Sequence, residues 1–422
     1  MKSKCSKTQG KITRRELLRG IGASAGLAAA GLAAPALVRT ARAAQPIKVG
    51  VISPLTGAWT VYGKAHSEGF LLAVDEINQA GGVLGRPLEV IMADSKTEPR
   101  IVVEQANRLV RQDRVDFLAG TFSSAERNAA GPVVTAANKV LLYPTFYEGQ
   151  LQQYYPGVCN GNIFMFGPEP TQQVWPHMQY MTNKFGKKFF MIGSDYVWPR
   201  VTNLLTKRKL EQLGGQVVGE VYIPFNTPEY ASVLRQIRAA KPSIVFHTLT
   251  GSDTVNFRRQ FYAAGMSKDF PIWTVDDEEV VTSGLGPEVS AGTYVSFDYF
   301  MSIRSANNAA FLEKFRAKYG KDALMNTVGV AMYNAAHMAA LAIEKTGKPT
   351  TEGLRQGLLG LAYERAPQGR VTMRALDNQL VVPSYLMVVR KNWTGVGDMF
   401  QEVRHFDSVE PVNAECKRLP LA

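Results

Sequence analysis

Four short segments of this chain concentrate side chains able to hold a small molecule. Thr121-Phe122-Ser123-Ser124-Ala125-Glu126-Arg127 sets a hydroxyl at Ser123 three residues before a carboxylate. That is the capping-box pattern, which opens a helix whose free N–H groups attract an anion or a carbonyl oxygen. An ordinary cap with no ligand reads the same way. Pro144-Thr145-Phe146-Tyr147-Glu148-Gly149 offers the Thr145 hydroxyl and two rings, Phe146 and Tyr147, to wall a pocket. Ser194-Asp195-Tyr196-Val197-Trp198-Pro199-Arg200 adds Tyr196 and Trp198. Asp276-Asp277-Glu278-Glu279 is an acidic run, either a solvated loop or a set of carboxylates that accept N–H bonds from a ligand.

Catalytic chemistry is not legible beside these binding groups. The sequence has no His-Glu-x-x-His, no Cys-x-x-Cys and no phosphate-cradling Gly-x-x-x-x-Gly-Lys. One Gly-x-Ser-x-Gly match, Gly22 to Gly26, lies in an Ala/Gly-rich N-terminal run rather than on a strand-to-helix elbow. The five histidines, His66, His177, His247, His337 and His405, have no ligand spacing and read as structural or surface residues. The expectation is a binding protein, not an enzyme, without metal or cofactor.

The elements that must carry the four segments alternate in type. Apolar runs predict strands at Ile47–Ile52, Leu88–Ala93, Val115–Gly120 and Val140–Tyr143. Helical spacing of apolar residues predicts helices over 67–79, with Phe70, Leu71, Val74 and Ile77, and over 99–112. The rhythm restarts with strands at Lys188–Gly193, Gln216–Tyr222, Ser243–Thr248 and Pro271–Val275, separated by helices over 200–213, 229–240 and 254–264. Helices over 306–319 and 328–346 and strands near 369–373 and 385–389 follow. Strand–helix–strand repetition means parallel strands with helical crossovers. Two copies of it predict an α/β fold of two doubly wound parallel-sheet lobes joined by a multi-crossover hinge. In such sheets a ligand lies beyond the C-terminal strand ends, where all four segments fall.

The ends and totals narrow the class. Residues 1–19 are basic and polar, residues 20–38 carry no charge, and Ala41-Arg42-Ala43 follows, the layout of an export leader over 1–43. Arg14-Arg15 before Leu17-Leu18 marks the twin-arginine route, and an uncleaved anchor is the alternative. Cys5 precedes the apolar run and is badly placed for lipid attachment. The leader holds nine Lys/Arg against Glu16, a net +8 of the chain's +12, which leaves about +4. So mild a charge excludes an argument for nucleic acid. About 380 further residues suit two lobes. Cys159 and Cys416 remain after the leader, and the sequence leaves open whether they pair.

Four segments carry a resemblance: Glu76 to Arg86 (EINQAGGVLGR), Leu142 to Gly149 (LYPTFYEG), Gly193 to Arg200 (GSDYVWPR), and Ala239-Ala240-Lys241-Pro242 before a strand. Over residues 47–400 the chain resembles the type I periplasmic solute-binding proteins of the branched-chain amino acid ABC transporter class. Within that class it is most similar to the urea and short-chain-amide branch. The resemblance implies lobe closure on a small polar solute and delivery to a membrane permease. It implies lobe one from 47–165 with about 298–375, and lobe two from 166–297 with about 376–410. It implies that Ser124 and nearby N–H groups hold a ligand carbonyl or carboxylate, with the Tyr143 backbone and the Thr145 hydroxyl; Phe146 walls the pocket. Tyr196 closes from lobe two beside Trp198, and Asp277 and Glu279 take the ligand's N–H groups. The urea-type pattern has two glutamates where Asp277 and Glu279 stand here. The loop Thr56 to Gly63 is closer to the amino acid binders, which offers Trp59 and Tyr62 to the cleft, with a cover over the hinge as the other reading of Trp59. Alternatives to urea or an amide are a branched-chain or other amino acid, and a sensing receptor in place of a transport component.

Overall fold

The computed structural model describes residues 45–57, 59–151 and 160–412. The leader, its arginine pair, Cys5, Cys159 and Cys416 lie outside them. From Ile47 the chain runs β1 (Ile47–Ser53), α1 (Thr60–Gln79), β2 (Leu88–Asp94), α2 (Pro99–Arg111), β3 (Phe117–Gly120), α3 (Ser124–Ala136), β4 (Leu141–Tyr143) and β5 (Ile163–Met165). It continues through α4 (Pro170–Gln173), α5 (Trp175–Phe185), β6 (Lys188–Ser194), α6 (Val197–Gln212), β7 (Gln216–Ile223), α7 (Ala231–Ala240), β8 (Ile244–Thr248), α8 (Ser252–Ala263), β9 (Ile272–Thr274), α9 (Glu279–Leu285), α10 (Pro287–Ser290) and β10 (Tyr294–Phe297). The remainder is α11 (Ala306–Tyr319), α12 (Thr327–Thr346), α13 (Thr351–Leu358), β11 (Ala362–Tyr363), β12 (Val371–Met373), β13 (Leu380–Val389) and β14 (Phe400–Val409).

Two sheets result. The first is parallel, in the order β2-β1-β3-β4-β5. The second holds nine strands, and its parallel half runs β7-β6-β8-β9-β10, the same permutation of five successive strands. Strand order reverses at β1/β3 in one sheet and at β6/β8 in the other, so each sheet opens a crevice at the C-terminal ends of those strands. Helices cover both faces, which is why β1 and β8 read as nearly unbroken apolar runs and are buried almost throughout. In α2, Val102, Ala106 and Leu109 form the buried stripe, the i, i+4, i+7 spacing of one helix face.

The structure corrects the sequence reading in two places. The second sheet takes β11 and β12, which pair antiparallel through β13, itself antiparallel to β10 and β14. The stretch assigned to lobe one up to about 375 therefore gives its last strands to the other sheet. Between them α12 packs on α1, so the chain passes between the sheets three times. The other correction is at α1, which begins at Thr60, seven residues before the expected Ser67. Gly63, expected at the end of a loop, lies within α1 and is a point of close approach: a Cβ there would stand 2.0 Å from the Pro54 carbonyl oxygen.

The α1–α12 contact is equally tight. A Cβ at Gly69 would meet the Gly329 carbonyl oxygen at 2.0 Å, and one at Gly329 would meet the Ala65 carbonyl oxygen at 2.6 Å. Backbone atoms cannot swing aside as a side chain does. Gly69→Ala is expected to cost about 1–3 kcal/mol, the usual range for overpacking, read as a lower urea midpoint, whereas Gly81→Ala, with open space around it, is expected to cost only the strain of its positive φ.

Candidate ligand-binding site

The residues beyond the C-terminal strand ends converge from both sheets. After β1, α1 brings Trp59 and Tyr62. After β3 come Phe122 and the start of α3, and after β4 come Thr145 and Phe146. From the second sheet come Tyr196 and Trp198 after β6, Thr254 on α8 after β8, and the acidic run after β9. Rings tie the two groups together. Tyr62 stacks on Phe122 at 4.9 Å between centroids, and Trp59 lies 5.6 Å from Phe122 and 6.5 Å from Tyr196. Tyr196 lies 6.2 Å from Trp198, which meets Phe146 edge-on at 5.0 Å. Phe225, which sequence reasoning missed, closes the Trp59 and Tyr196 end.

The start of α3 is fixed by the expected capping box. The Ser123 hydroxyl accepts from the Glu126 N–H at 3.1 Å, and Glu126 accepts from the N–H groups of Phe122 at 2.7 Å and Ser123 at 3.0 Å. The N–H groups of Ser124 and Ala125, the first two helical positions, have no acceptor inside the helix. The Ser124 hydroxyl is committed elsewhere: it donates to Glu148, whose other oxygen pairs with buried Arg127 at 2.6 Å. Arg127 lies 5.0 Å from each of the Tyr143 and Tyr147 ring centres. Ser124 can therefore offer a ligand its N–H, not its O–H. Tyr143 likewise serves the frame, its carbonyl accepting from the Phe166 N–H at 2.7 Å and its hydroxyl donating to the Phe122 carbonyl at 2.9 Å. By contrast, the Thr145 Oγ1 and the Trp198 Nε1 are buried with no hydrogen-bond partner. An unmet polar group is costly unless something fills its need.

The acidic run splits by parity. Asp277 turns into the second sheet's own packing: Arg258 donates to it, and His247 Nε2 lies 3.4 Å away. Burial pushes its carboxyl up, but His247 and Arg258 hold it below the usual carboxylate range. Glu279 accepts the Met301 N–H at 2.5 Å, and burial raises its carboxyl to about 8. Asp276 and Glu278 face the other way. The Tyr62 hydroxyl donates to Asp276 at 3.1 and 3.3 Å across 214 positions of sequence, joining α1 to the loop after β9. Burial raises the Tyr62 hydroxyl, and the charges of Asp276 and then Glu278 raise it further; one Glu278 oxygen accepts the Val280 N–H at 3.2 Å as the cap of α9. Burial, then the charge of Asp277, hold Asp276 well above its ordinary value, while burial and then Asp276 do the same for Glu278. Neither has an ion-pair partner among the described residues. The sequence signal was there, an i, i+2 pair of acids after a strand, but either parity satisfied it.

Comparison with known proteins now decides the family. The model of the periplasmic binding protein domain matches residues 47–412. This chain belongs to that family. As a periplasmic binding protein it is similar to the Leu/Ile/Val-binding protein homolog 6 of Brucella melitensis, 24% identical over 371 residues, 86% of this chain and 93% of the relative. It is similar to an amino acid binding protein of Pseudomonas aeruginosa, 26% identical over 306 residues, 71% of this chain and 78% of the other. Among solved structures, an amino acid ABC transporter substrate-binding protein from Pseudomonas fluorescens superposes with a TM-score of 0.79 at 22% identity, covering 89% of this chain and all of that one. A solute-binding protein from Rhodopseudomonas palustris, in complex with p-hydroxybenzoic acid, gives 0.76 at 22% identity over 86% and 97%. The likeness to the solved structures, all near 22% identity, is one of fold, and the family model establishes a periplasmic binding protein.

The parity of the acids is open to test. Asp277→Ala strands the buried Arg258 guanidinium and is expected to cost about 3–5 kcal/mol in urea unfolding. Asp276→Asn should do the opposite. Its carboxyl holds a proton more tightly folded than unfolded, so it favours folding at low pH and loses that contribution as pH rises. At pH 8 the unliganded Asp276→Asn protein should be as stable as wild type or more so. The reverse pattern would mean that Asp277, not Asp276, faces the site.

Proposed function

We propose that this protein captures a small amino acid with an apolar side chain and delivers it to the permease of an ABC importer. The observation that carries the reading is the pair Asp276 and Glu278, two buried acids with no cation beside them among the described residues. Two adjacent buried carboxylates cannot both ionise unless a positive charge joins them. A ligand ammonium supplies that charge. The ligand carboxylate then falls to the other sheet, at the Ser124 and Ala125 N–H groups and the Thr145 hydroxyl, where a helix N-terminus favours an anion. The rings of Phe146, Tyr196 and Trp198 line the space left for an apolar side chain. The names of the relatives, Leu/Ile/Val-binding and amino acid binding, support the same class.

A ligand that touches both sheets favours the arrangement in which they approach, and so shifts an open–closed population toward closed. On this reading the five-stranded sheet with α1, α11 and α12 is one lobe, the nine-stranded sheet is the other, and the three chain passages are the hinge. Export by the twin-arginine route belongs to the same proposal and rests on Arg14 and Arg15.

Urea or a short-chain amide is the second reading. It is favoured by the segments Leu142–Gly149 and Gly193–Arg200 and by the unpartnered Thr145 and Trp198 groups. Protons separate the two. In the empty site both acids are held above their ordinary range; an ammonium between them lowers them again. Amino acid binding therefore releases protons, and affinity falls as pH is lowered through the range where the empty site is protonated. A neutral amide leaves the protons in place. Leucine, valine, acetamide and urea should be titrated calorimetrically at pH 7 in two buffers of different ionisation enthalpy. The expected result is binding of leucine or valine with proton release, weakened about thirtyfold or more in Asp276→Asn. Binding of acetamide or urea with no buffer dependence would replace this reading with the second.

A further inference from the structure

At the opposite end of β9 and β10 from the acidic run, the second sheet carries a cavity of about 340 Å³. It lies between the end of α5, the stretch before β9 and the turn from α10 into β10. Its charged lining is of one sign: Lys184, Lys268 and Arg258, with no carboxylate. Arg258 belongs to its floor. The side chain is 2% exposed, and one guanidinium nitrogen donates to the Val289 carbonyl at 3.1 Å and to the Thr293 hydroxyl, both of which line the cavity. The other nitrogen holds Asp277. Lys184 and Lys268 are exposed at the mouth, and neither has an ion-pair partner among the described residues. Lys184 lies over the rings of Tyr180 and Phe185, 5.9 and 5.5 Å from their centres. The rest of the wall is largely apolar, with Phe185, Phe270, Val289 and Val388.

Positive charge gathered around an apolar hollow selects an amphipathic anion. We propose that this cavity is a second binding site, separate from the cleft, for a small organic carboxylate. Its charged end lies between Lys184 and Lys268, above a floor in which Arg258 is already met by Asp277, and its apolar body lies against Phe185, Phe270 and Val388. The placement does not depend on which solute the cleft takes, since none of these three apolar residues is among the cleft residues described above.

The test is a fluorine NMR titration of the mature protein with 4-fluorobenzoate. Three proteins are compared: wild type, Lys184→Glu/Lys268→Glu, and the milder Lys184→Gln/Lys268→Gln, with thermal unfolding to establish that the variants fold. The expected result is saturable binding to wild type, weakened at least tenfold by the glutamate pair and by a smaller factor by the glutamine pair. The neutral isostere 4-fluorobenzamide is expected to bind at least tenfold more weakly than the benzoate. Absence of saturable binding to wild type overturns the proposal. So does an affinity that both variants leave unchanged, which places the probe in the cleft, and so does equal binding of the amide, which removes the role of charge.

Discussion

A carboxylate buried without a counter-charge is among the most expensive things a fold can keep. This one keeps two carboxyl groups, Asp276 and Glu278, holds both well above their ordinary pKa, and lends the first the Tyr62 hydroxyl from α1. The Tyr62–Asp276 hydrogen bond joins residues far apart in sequence and needs both sheets to face each other with their C-terminal strand ends opposed. The shared strand order explains how that is met. Two sheets with the same permutation open equivalent crevices, and the loops after β1, β3 and β4 meet those after β6, β8 and β9.

The frame around the acids is built so that little else can adjust. Arg127 locked to Glu148 consumes the Ser124 hydroxyl, Arg258 locked to Asp277 consumes one position of the acidic run, and the Met301 N–H holds Glu279. These paired charges are rigid because breaking either leaves an uncompensated ion. What remains unpaired is correspondingly specific: two acids on one side, a helix start, a threonine hydroxyl and an indole N–H on the other. Binding sites are recognised by such residues of unmet demand as much as by their shape.

Much of the fold was legible because buried parallel strands announce themselves as apolar runs and amphipathic helices by their period. α11 matched its expected span, with Ser305 as its cap and Gly320 at its end. What escaped had physical reasons. β5 is three residues long, and β14 is a mostly exposed strand whose polar residues give no apolar run. Gly63 looked like part of a loop because close backbone approach and irregular backbone favour the same residue. At the site, the loops were found but the partners within them were not. Nothing in the sequence says that Arg258 will reach Asp277, and that single contact fixes which acids of the run face inward. Arg127 and Glu148 stood in the segments singled out at the start, yet their pairing depends on β3 and β4 lying side by side, a fact of topology and not of spacing.

Amino acid capture requires a positive charge to arrive between Asp276 and Glu278. The most direct measurement is a crystal structure of the mature protein grown with leucine at saturating concentration. The ligand ammonium is expected within hydrogen-bond distance of both carboxylates and the ligand carboxylate at the start of α3. A ligand whose ammonium sits elsewhere, or an undistorted Asp276–Glu278 pair with no ligand nitrogen near it, would contradict it.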